Sequence, residues 1–491
     1  MERQRDIRHH DHGRNSTRER ADRRGHHPLR CVRFRRILPL LVLTLLAWGA
    51  GPVAPLLAQT DAVPAPARVL MLSDIQLEGA TRTPLATVYR YLPLRPGQPI
   101  DQQSLVDGVA ALREGGVFRS VDFYTRPGAQ RGQLVLVLEV VEHDVDFRWA
   151  AGNTNLDGWY LSPAMLTYDN PFGRGGRSDI QWRVGFRTTG LLMSYAQPRT
   201  ADGRRYWGTR LSLMGTERPW FADGVEYRHT VTSFGWAGVH GWRLGGDDLL
   251  EAGLSLEGLD VADHATAYTN SADGAVTIDQ EVSGAALPPA IGGATGRDRR
   301  AIVHLDWQHD TRAERKRAGT PVSGAWGRVK AHTVVQGSRS HVGLQADLRL
   351  FREVPGGVLA TRLRGAWVGR PAAFYDRLYL GGMYTVRGFP THALSAPGGD
   401  TWLAAGSLEY RTTILRDARG ARLAGIVFLD AGAGGASDAP DPYTGVAAAA
   451  GYGVRARVWW LDWVGVDVGF PLTERPLDMR FQVNASIGWS F

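Results

Sequence analysis

One arginine, Arg387, lies in a segment whose composition differs from the sequence around it. The segment Tyr384–Pro390 places Arg387 beside aromatic residues, and the glycine pairs Gly381-Gly382 and Gly398-Gly399 flank it. It interrupts an alternating pattern that is typical of β-strands, so we predict a loop. A loop guanidinium is a permanent cation that is most often simply hydrated. Whether Arg387 has a role other than that of a hydrated loop residue depends on the secondary structure that positions it.

Residues that could catalyse a reaction or bind a metal give little support to either role. Five of the fourteen histidines lie in the first 36 residues, and the others form no His-Glu-x-x-His or His-x-x-His motif. The densest cluster is His304, Asp306 and His309, which a wet strand face or a strand end also explains. Outer-membrane proteases and phospholipases build their active sites from single residues on separate strands of a β-barrel. The spacing of residues in the sequence therefore leaves an active site of that kind as an open alternative. We predict no catalytic residue, no metal and no cofactor.

The positive charge of the chain is concentrated at its beginning. Residues 1–36 hold twelve arginines and five acidic residues, which accounts for seven of the eight net positive charges. Nucleic-acid binding therefore loses its main support, and we predict no nucleic-acid partner. The single cysteine, Cys31, also lies there, so a chain processed beyond it has neither a disulfide nor a cysteine-bound metal.

A secretory leader explains this beginning. Arg35 and Arg36 precede the apolar run Ile37–Trp48, and small residues and prolines follow up to Ala58. We predict that residues 1–58 are a basic leader with a signal peptide, and that residues 59–72 form a linker. No later apolar run reaches the roughly eighteen residues of a membrane-spanning helix. A mature protein in a membrane would have to cross it as a β-barrel.

Residues 73–144 mix strand and helix patterns and predict a small α/β domain. Alternation over Ile75–Glu78 indicates a strand, and Pro84 opens a helix. Asp101 is placed to cap a second helix, and two alternating strands end near Glu142. The predicted order is β-α-α-β-β with an open sheet edge, whose unpaired backbone groups can accept an extended client segment.

After the α/β domain the helical period gives way to alternation. One strand face is apolar and the other carries polar and charged residues, as in Ile180–Arg187 and Val342–Leu350. A soluble β-sandwich would bury Arg183 and Arg187 in a dry core at several kcal/mol each. A transmembrane barrel instead turns the apolar face to lipid and the polar face to a wet lumen. The predicted fold class is therefore mainly β, with residues 145–491 forming a transmembrane antiparallel β-barrel.

Two further expectations concern the connections and the end of the barrel. The Ala/Gly/Asp-rich segment from Asp260 to about Arg297 is longer than the other connections, and we predict an extracellular loop there. The last predicted strand, Phe481–Phe491, places Ile487, Trp489 and Phe491 on its apolar face. This strand suits a bilayer, and it resembles the terminal signal by which outer-membrane barrels are delivered for insertion.

Several short motifs resemble two known protein families. Gly97–Ile100 and Leu112–Phe118 are similar to the polypeptide-transport-associated (POTRA) domain. Val386–Phe389, followed by Phe428–Gly432 and the final Phe491, is similar to the BamA/TamA superfamily. Other similar pieces are Asn170–Gly175 and Thr320–Gly324. The resemblance begins in the α/β domain and continues to the last strand in the order of that family.

The resemblance implies sixteen strands and a loop that folds back into the lumen. The loop would act as a lumenal latch. The latch residues would be Val386, Arg387, Gly388 and Phe389, and their partners on the barrel wall would be Phe428, Asp430 and Gly432. Arg387 is expected to pair with Asp430, with Phe428 and Phe389 beside them. A bidentate carboxylate supplies the charge that a partly desolvated guanidinium needs, and Gly388 permits close backbone approach.

The resemblance also implies a non-enzymatic function in handling other polypeptides. The barrel would lie in the outer membrane of a Gram-negative cell, with the POTRA domain in the periplasm and long loops outside. Clients would be captured by β-addition at the POTRA edge and at a lateral seam between the first and last strands. Expected partners are bilayer lipids, unfolded client proteins, and periplasmic or lipoprotein accessory factors. A two-partner-type secretion pore and a non-catalytic channel or adhesin remain as alternatives.

Overall fold

The computed structural model describes residues 70–153, 159–198, 204–270, 276–314, 320–418, 420–436, 445–458, 462–474 and 479–491. The predicted leader, residues 1–58, and most of the predicted linker, residues 59–72, lie outside these ranges. The described residues belong to one compact unit, Arg68–Phe491. They form a small α/β domain followed by a β-barrel. Within these ranges, no helix is both long and apolar enough to cross a membrane.

The α/β domain packs two helices against a four-stranded sheet. Its elements are β1 (Leu70–Glu78), α1 (Leu85–Tyr91), β2 (Pro99–Ile100), α2 (Gln102–Glu114), β3 (Ser120–Pro127) and β4 (Gln133–Val141). The sheet order is β2-β1-β4-β3, in which β1 and β4 are parallel and the other neighbours are antiparallel. The two-residue β2 forms one edge of the sheet, and the eight-residue β3 forms the other.

Local sequence explains why α2 forms. Asp101 accepts a hydrogen bond from the Ser104 backbone N–H at 2.7 Å, which caps the helix. Leu105, Val109 and Leu112 recur at helical spacing and are buried in the core of the domain. Burial of one apolar stripe and a satisfied first turn together position the helix on the sheet.

Two details of this domain differ from the prediction. β1 begins at Leu70, inside residues 59–72 that were predicted as a linker, because Leu70 and Met71 pair with β2. β2 itself was not predicted, since two residues are too few to display an alternating pattern. The observed order is therefore β-α-β-α-β-β.

Sixteen antiparallel strands form the barrel wall, and the ring closes between the last strand and the first. The elements in chain order are β5 (Val145–Asn153), β6 (Trp159–Asp169), β7 (Arg177–Gly185), β8 (Thr188–Pro198), β9 (Arg205–Ala222), β10 (Val225–Arg243), β11 (Asp248–Asn270), β12 (Val276–Ser283), α3 (Pro289–Gly292), β13 (Gly296–Asp310), β14 (Ala313–Glu314), β15 (Pro321–Val335), β16 (His341–Val354), β17 (Gly357–Val368), β18 (Trp402–Asp417), β19 (Gly420–Gly435), β20 (Ala447–Val458), β21 (Asp462–Pro471) and β22 (Gln482–Ile487). β12 and β14 are additions, because β11 pairs with β13 and β13 with β15. The predicted mainly β fold with a sixteen-stranded barrel is confirmed.

Alternation along each wall strand separates an apolar outer surface from a polar interior. Large apolar side chains such as Trp182, Leu344 and Val427 are exposed on the outside. On neighbouring inward positions, Asp347 accepts hydrogen bonds from Arg362 at 3.1 and 2.7 Å. An outer apolar band with paired charges inside is the arrangement that a bilayer and a wet lumen select.

The segment Asp260–Arg297, predicted to be an extracellular loop, contains secondary structure in its described part. β11 continues beyond its pairing with β13 and pairs with β12, and the short α3 follows. Leu259, Val261 and Ala265 of β11 are buried with Ile291 of α3. Because many residues of this strand are small, its two faces differ little in hydrophobicity, and its composition predicts a loop. Its alternate positions are nevertheless buried.

The last strand is shorter than predicted. β22 ends at Ile487 instead of continuing to Phe491. Gly488 has a φ of +88°, a left-handed backbone that glycine adopts without strain. The chain then turns into the lumen, where Phe491 is 8% exposed and packs in an apolar cluster with Phe351. Phe491 and Trp489 therefore leave the lipid-facing surface on which the alternation of β22 would have placed them.

Candidate functional site

A long loop between β17 and β18 occupies the interior of the barrel. Residues 369–401 form neither helix nor strand, yet most of them are buried. Gly381 and Gly382 have φ angles of +104° and +92°, which permit the chain to reverse direction. The Gly382 N–H donates to the Phe389 carbonyl at 3.0 Å across this reversal. The turns hold Arg387 against the inner faces of strands near the end of the barrel sequence.

Arg387 and Asp430 are paired inside the barrel. The Arg387 Nε and Nη2 atoms donate to the two Asp430 carboxylate oxygens at 2.7 and 2.8 Å. The Arg387 backbone N–H donates to the same carboxylate at 3.1 Å. The Ser407 hydroxyl donates to Asp430 at 2.6 Å and accepts from Arg387 at 2.9 Å. This geometry neutralises the guanidinium and also fixes its orientation. Arg387 and Asp430 are each only 1% exposed.

The two phenylalanines that were expected beside this pair have different surroundings. The Phe428 ring lies 3.6 Å from the central guanidinium carbon of Arg387, within range of a cation–π interaction. Phe389 lies instead in a buried apolar cluster with Val386 and Leu380. Phe428 therefore supports the charge, whereas Phe389 and Val386 attach the loop to the wall through apolar packing.

Two glycines allow the loop and the wall to approach closely. A Cβ atom at Gly388 would lie 2.5 Å from the Ala449 Cβ atom. A Cβ atom at Gly432 would lie 2.8 Å from a Leu380 methyl carbon and 3.1 Å from one of Val386. Carbon atoms do not pack at 2.5 Å, so a side chain at Gly388 would push the loop away from β20. Gly432 likewise allows Leu380 and Val386 of the loop to pack closely against β19.

Two further ion pairs surround Arg387, and sequence analysis did not identify them. Arg387 Nη1 donates to Glu409, whose other carboxylate oxygen accepts from Arg411 Nε at 2.8 Å. Asp467 lies 3.5 Å from Arg387 Nη1 and binds Arg455 through both of its oxygens. Glu409 and Arg411 are two residues apart in β18 and therefore lie on the same face of the strand. This spacing of charged residues is the signal that could have indicated a charged inner surface.

The charges at this site balance. The charge cluster, as we define it, consists of Arg387, Arg411, Arg455, Glu409, Asp430 and Asp467, and each of these residues is 2% exposed or less. Three cations and three anions leave the cluster without a net charge. Removal of one member leaves an uncompensated buried charge, which typically costs about 3–5 kcal/mol. The cluster therefore strongly favours one position of the loop.

The last residues of the chain are bonded to the charge cluster. Asn484 of β22 donates through Nδ2 to the Arg387 carbonyl at 3.0 Å. The Ser490 hydroxyl donates to Glu409 at 2.6 Å, and Arg411 Nη2 donates to the Phe491 carbonyl at 2.8 Å. One loop arginine is thus connected to β18, β19, β21 and β22, and to the residues that follow β22.

Comparison with known proteins assigns the family. The sequence model described as the Omp85 superfamily domain matches residues 170–491, well over half of the chain. This chain belongs to the Omp85 superfamily. No curated protein matches it. The predicted resemblance to BamA/TamA-type barrels is thereby confirmed at the level of the superfamily and its fold.

Two solved structures illustrate the fold of this Omp85 barrel. BamA from Haemophilus ducreyi, lacking POTRA domains 1–3, is similar at a TM-score of 0.68 and 15% sequence identity. That similarity covers 85% of this chain and 84% of the BamA chain. CdiB from Acinetobacter baumannii is similar at a TM-score of 0.51 and 14% identity, over 85% of this chain and 74% of the CdiB chain. At these identities the similarity establishes the fold alone.

In this Omp85 chain, the turn after β6 is bonded directly to the α/β domain. The Thr87 hydroxyl donates to the Gly173 carbonyl at 2.7 Å. Asn170 donates through Nδ2 to the Thr83 hydroxyl at 2.9 Å and to the Val117 carbonyl at 3.2 Å. The turn motif that contributed to the family resemblance is therefore part of the joint between domain and barrel.

Glu142, in the connection between β4 and β5, strengthens the same joint. Its carboxylate accepts from the Thr83 backbone N–H at 2.8 Å, from that of Arg82 at 3.0 Å, and from the Thr81 hydroxyl at 2.7 Å. Burial alone raises the pKa of Glu142, but these hydrogen bonds outweigh it and lower the pKa to about 2. The carboxylate is therefore ionised throughout the neutral range and holds its donors.

The residues considered for catalysis have separate structural partners. Asp306 binds Arg328 through both carboxylate oxygens. His309 Nδ1 lies 3.1 Å from an oxygen of Asp248, and the His304 ring packs over Gly253. In the part of the chain that the structure describes, no group of three His, Cys, Asp or Glu side chains could hold a metal ion. These contacts give His304, Asp306 and His309 separate structural roles in the barrel wall.

Proposed function

We propose that this protein inserts or translocates client polypeptides at the outer membrane. Membership of the Omp85 superfamily and the BamA-like fold support a role of this class. The observation that carries the proposal is the attachment of the loop to the end of the barrel. The charge cluster joins Arg387 to β22 and to Phe491, next to the position where β22 meets β5. A movement of the loop would therefore directly alter the contacts of β22, the strand that closes the barrel.

Client capture would begin at the α/β domain, which we propose is a single POTRA domain of residues 73–144 in the periplasm. β3 presents eight residues at a sheet edge, whereas β2 presents two at the other. An extended client that pairs with β3 gains backbone hydrogen bonds and needs little sequence specificity. The joint at Asn170 and Glu142 would keep that edge in a constant position beside the barrel.

Insertion would take place at the lateral seam between β22 and β5. β22 has six residues, whereas β21 has ten and β18 has sixteen, so the ring closes through a short strand. Few backbone hydrogen bonds must be exchanged when a client strand enters there. Since an unpaired strand edge is costly in lipid, the client edge would replace the pairing that the seam loses. Detachment of Phe491 from Arg411 would free the end of β22.

The remaining parts of the proposal concern location and partners. Residues 1–58 would be removed on export, residues 59–72 would connect to the POTRA domain, and residues 145–491 would lie in the outer membrane with their long loops extracellular. Bilayer lipids and unfolded client proteins are the direct partners, with periplasmic or lipoprotein accessory factors. Folding of the client would supply the free energy, so the mechanism needs no nucleotide and no enzymatic step.

Depletion of the protein from its cells, followed by quantification of the outer-membrane proteome, tests this function. We expect several unrelated outer-membrane proteins to decrease and the wild-type chain to restore them. Loss of one exported protein alone would instead identify a two-partner-type secretion pore. An unchanged proteome would contradict both and would favour a channel or an adhesin.

A further inference from the structure

A cavity with a cationic lining lies in the lumen, separate from the charge cluster. It has a volume of about 570 Å³ and is bounded by the loop of residues 369–401 and by the inner faces of several strands, including β9, β15 and β17. The cationic side chains that line it are Arg218, Lys330, Arg362, Arg364 and Arg377. Among its described lining residues, Asp376 is the only carboxylate. Cations from three strands and the loop therefore converge on one space.

The carboxylates near this cavity are already engaged by other arginines. Asp376 accepts two hydrogen bonds from Arg300 at 2.5 and 2.6 Å, and Arg300 also binds Glu257. Asp347, an inward-facing residue of β16, is shared by Arg362 of the lining and by a second arginine of β16. These acidic groups have little capacity left to neutralise further cations.

Two cations of the lining, Lys330 and Arg218, make no ion pair with a carboxylate anywhere in the described ranges. The Arg218 Nε atom is buried and has no hydrogen-bond partner in the protein, and the same is true of His332 Nδ1 beside it in the lining. Buried polar groups without partners are rare in proteins and costly. Cationic donors of this kind indicate a ligand that accepts hydrogen bonds and carries negative charge.

We propose that this cavity binds a small, doubly charged oxyanion of the phosphate and sulfate class. A tetrahedral oxyanion offers several acceptor oxygens, so it can bind the Lys330 ammonium and the Arg218 guanidinium at the same time. The lining is made of inward-facing positions and loop residues, so the wall separates the cavity from the acyl chains of bilayer lipids. A free oxyanion fits this position, whereas the phosphate of a bilayer lipid does not.

A bound oxyanion would add a further attachment of the loop to the wall. Arg218 lies on β9 and Lys330 on β15, and the loop contributes Arg377 to the same cavity. The anion would therefore connect two distant strands of the wall to the loop, at residues other than those that bind Arg387. This binding is independent of the proposed role in client handling.

Calorimetric titration of the folded, full-length protein in detergent with inorganic phosphate tests the site. Ionic strength is held constant with sodium chloride, because salt screens exposed charges. We expect saturable binding to the wild type and affinity weaker by about tenfold or more in Lys330→Gln, where each factor of ten corresponds to about 1.4 kcal/mol. Arg352→Gln removes an exposed cation of β16 outside the cavity and should keep the wild-type affinity.

Two results would overturn the proposal. One is the absence of saturable binding to the wild type, which decides the question even if Lys330→Gln does not fold. The other is equal affinity in the wild type and in Lys330→Gln. Thermal unfolding in phosphate is a second measurement: a general salting effect stabilises all variants equally, whereas the proposed site predicts a smaller shift in Lys330→Gln than in Arg352→Gln.

Discussion

At the scale of single residues, Arg387 combines charge with a defined geometry. It binds Asp430 at two points, donates to Glu409 and lies against the Phe428 ring. Lysine carries the same charge, but its ammonium group cannot reproduce a planar two-point contact. Arg387→Lys should therefore retain only part of the stability that arginine provides.

A double substitution tests whether the charge cluster consists of matched pairs. We expect Arg387→Met to lower the free energy of unfolding by about 3–5 kcal/mol, because it leaves an unpaired buried carboxylate. Adding Asp430→Asn should restore part of this loss, since the pairs Glu409–Arg411 and Asp467–Arg455 stay balanced. Denaturant unfolding, with heat-modifiable gel mobility as a check on barrel folding, measures both. Equal instability of the single and the double variant would show that Arg387 and Asp430 are not energetically coupled.

A charge reversal at the same two positions distinguishes a pair from a larger cluster. Arg387→Asp combined with Asp430→Arg keeps the total charge of the site. It should recover more folded barrel than either single change, but less than the wild type, because a carboxylate at position 387 would face Glu409 and Asp467. The yield of the heat-modifiable form after refolding gives the order of the four proteins. Equal defects in all three variants would argue against the pairing.

Glu142 predicts a pH dependence in the joint between the α/β domain and the barrel. Its pKa is about 2 in the folded protein, against an ordinary value of 4.5. Because the folded-state pKa is the lower one, this stabilisation is present above the ordinary pKa and is lost as the pH falls toward 2. Glu142→Gln should remove this part of the acid sensitivity. The control Glu139→Gln, on an exposed position of β4, should keep the wild-type profile in thermal unfolding across the acid range.

At the scale of elements, Gly488 decides where the last strand ends. Its φ of +88° turns the residues after β22 into the lumen, and a Cβ atom there would meet nothing within 4 Å. Gly488→Ala should therefore cost about 1–2 kcal/mol through backbone strain alone. Gly365→Ala is a matched control, because that glycine also has open space but no positive φ. Equal unfolding midpoints for the two variants would mean that the turn at Gly488 does not constrain the barrel.

The elements differ in how far the sequence predicts them. Alternation predicts the barrel wall, because the wall strands have an apolar outer face and a largely polar inner face. The extension of β11 and the turn after Ile487 are not predictable in this way, since one depends on packing against α3 and the other on the burial of Phe491. The partners of Arg387 on β18 and β21 depend on strand register, which no local pattern reveals. Asp430 was found only through the family resemblance.

At the scale of the whole molecule, two sets of contacts connect parts that are distant in sequence. The joint formed by Asn170 and Glu142 links the α/β domain to the first part of the barrel. The charge cluster links the long loop to the last strands and to Phe491. In the order of the barrel strands, the joint adjoins β5, and the charge cluster extends to β22. Each set of contacts therefore includes or adjoins one of the two strands whose separation we propose.

Photocrosslinking in cells tests the central claim that clients are handled at the edge of β22. A photoreactive residue replaces Val483 on β22, and a matched control replaces Val427 on β19. These valines are 50% and 55% exposed on the outer surface, so lipid reaches both equally. We predict that position 483 crosslinks to unfolded outer-membrane proteins and that position 427 does so only at background level. Equal yields at the two positions, or no client crosslink at position 483, would contradict insertion at this seam.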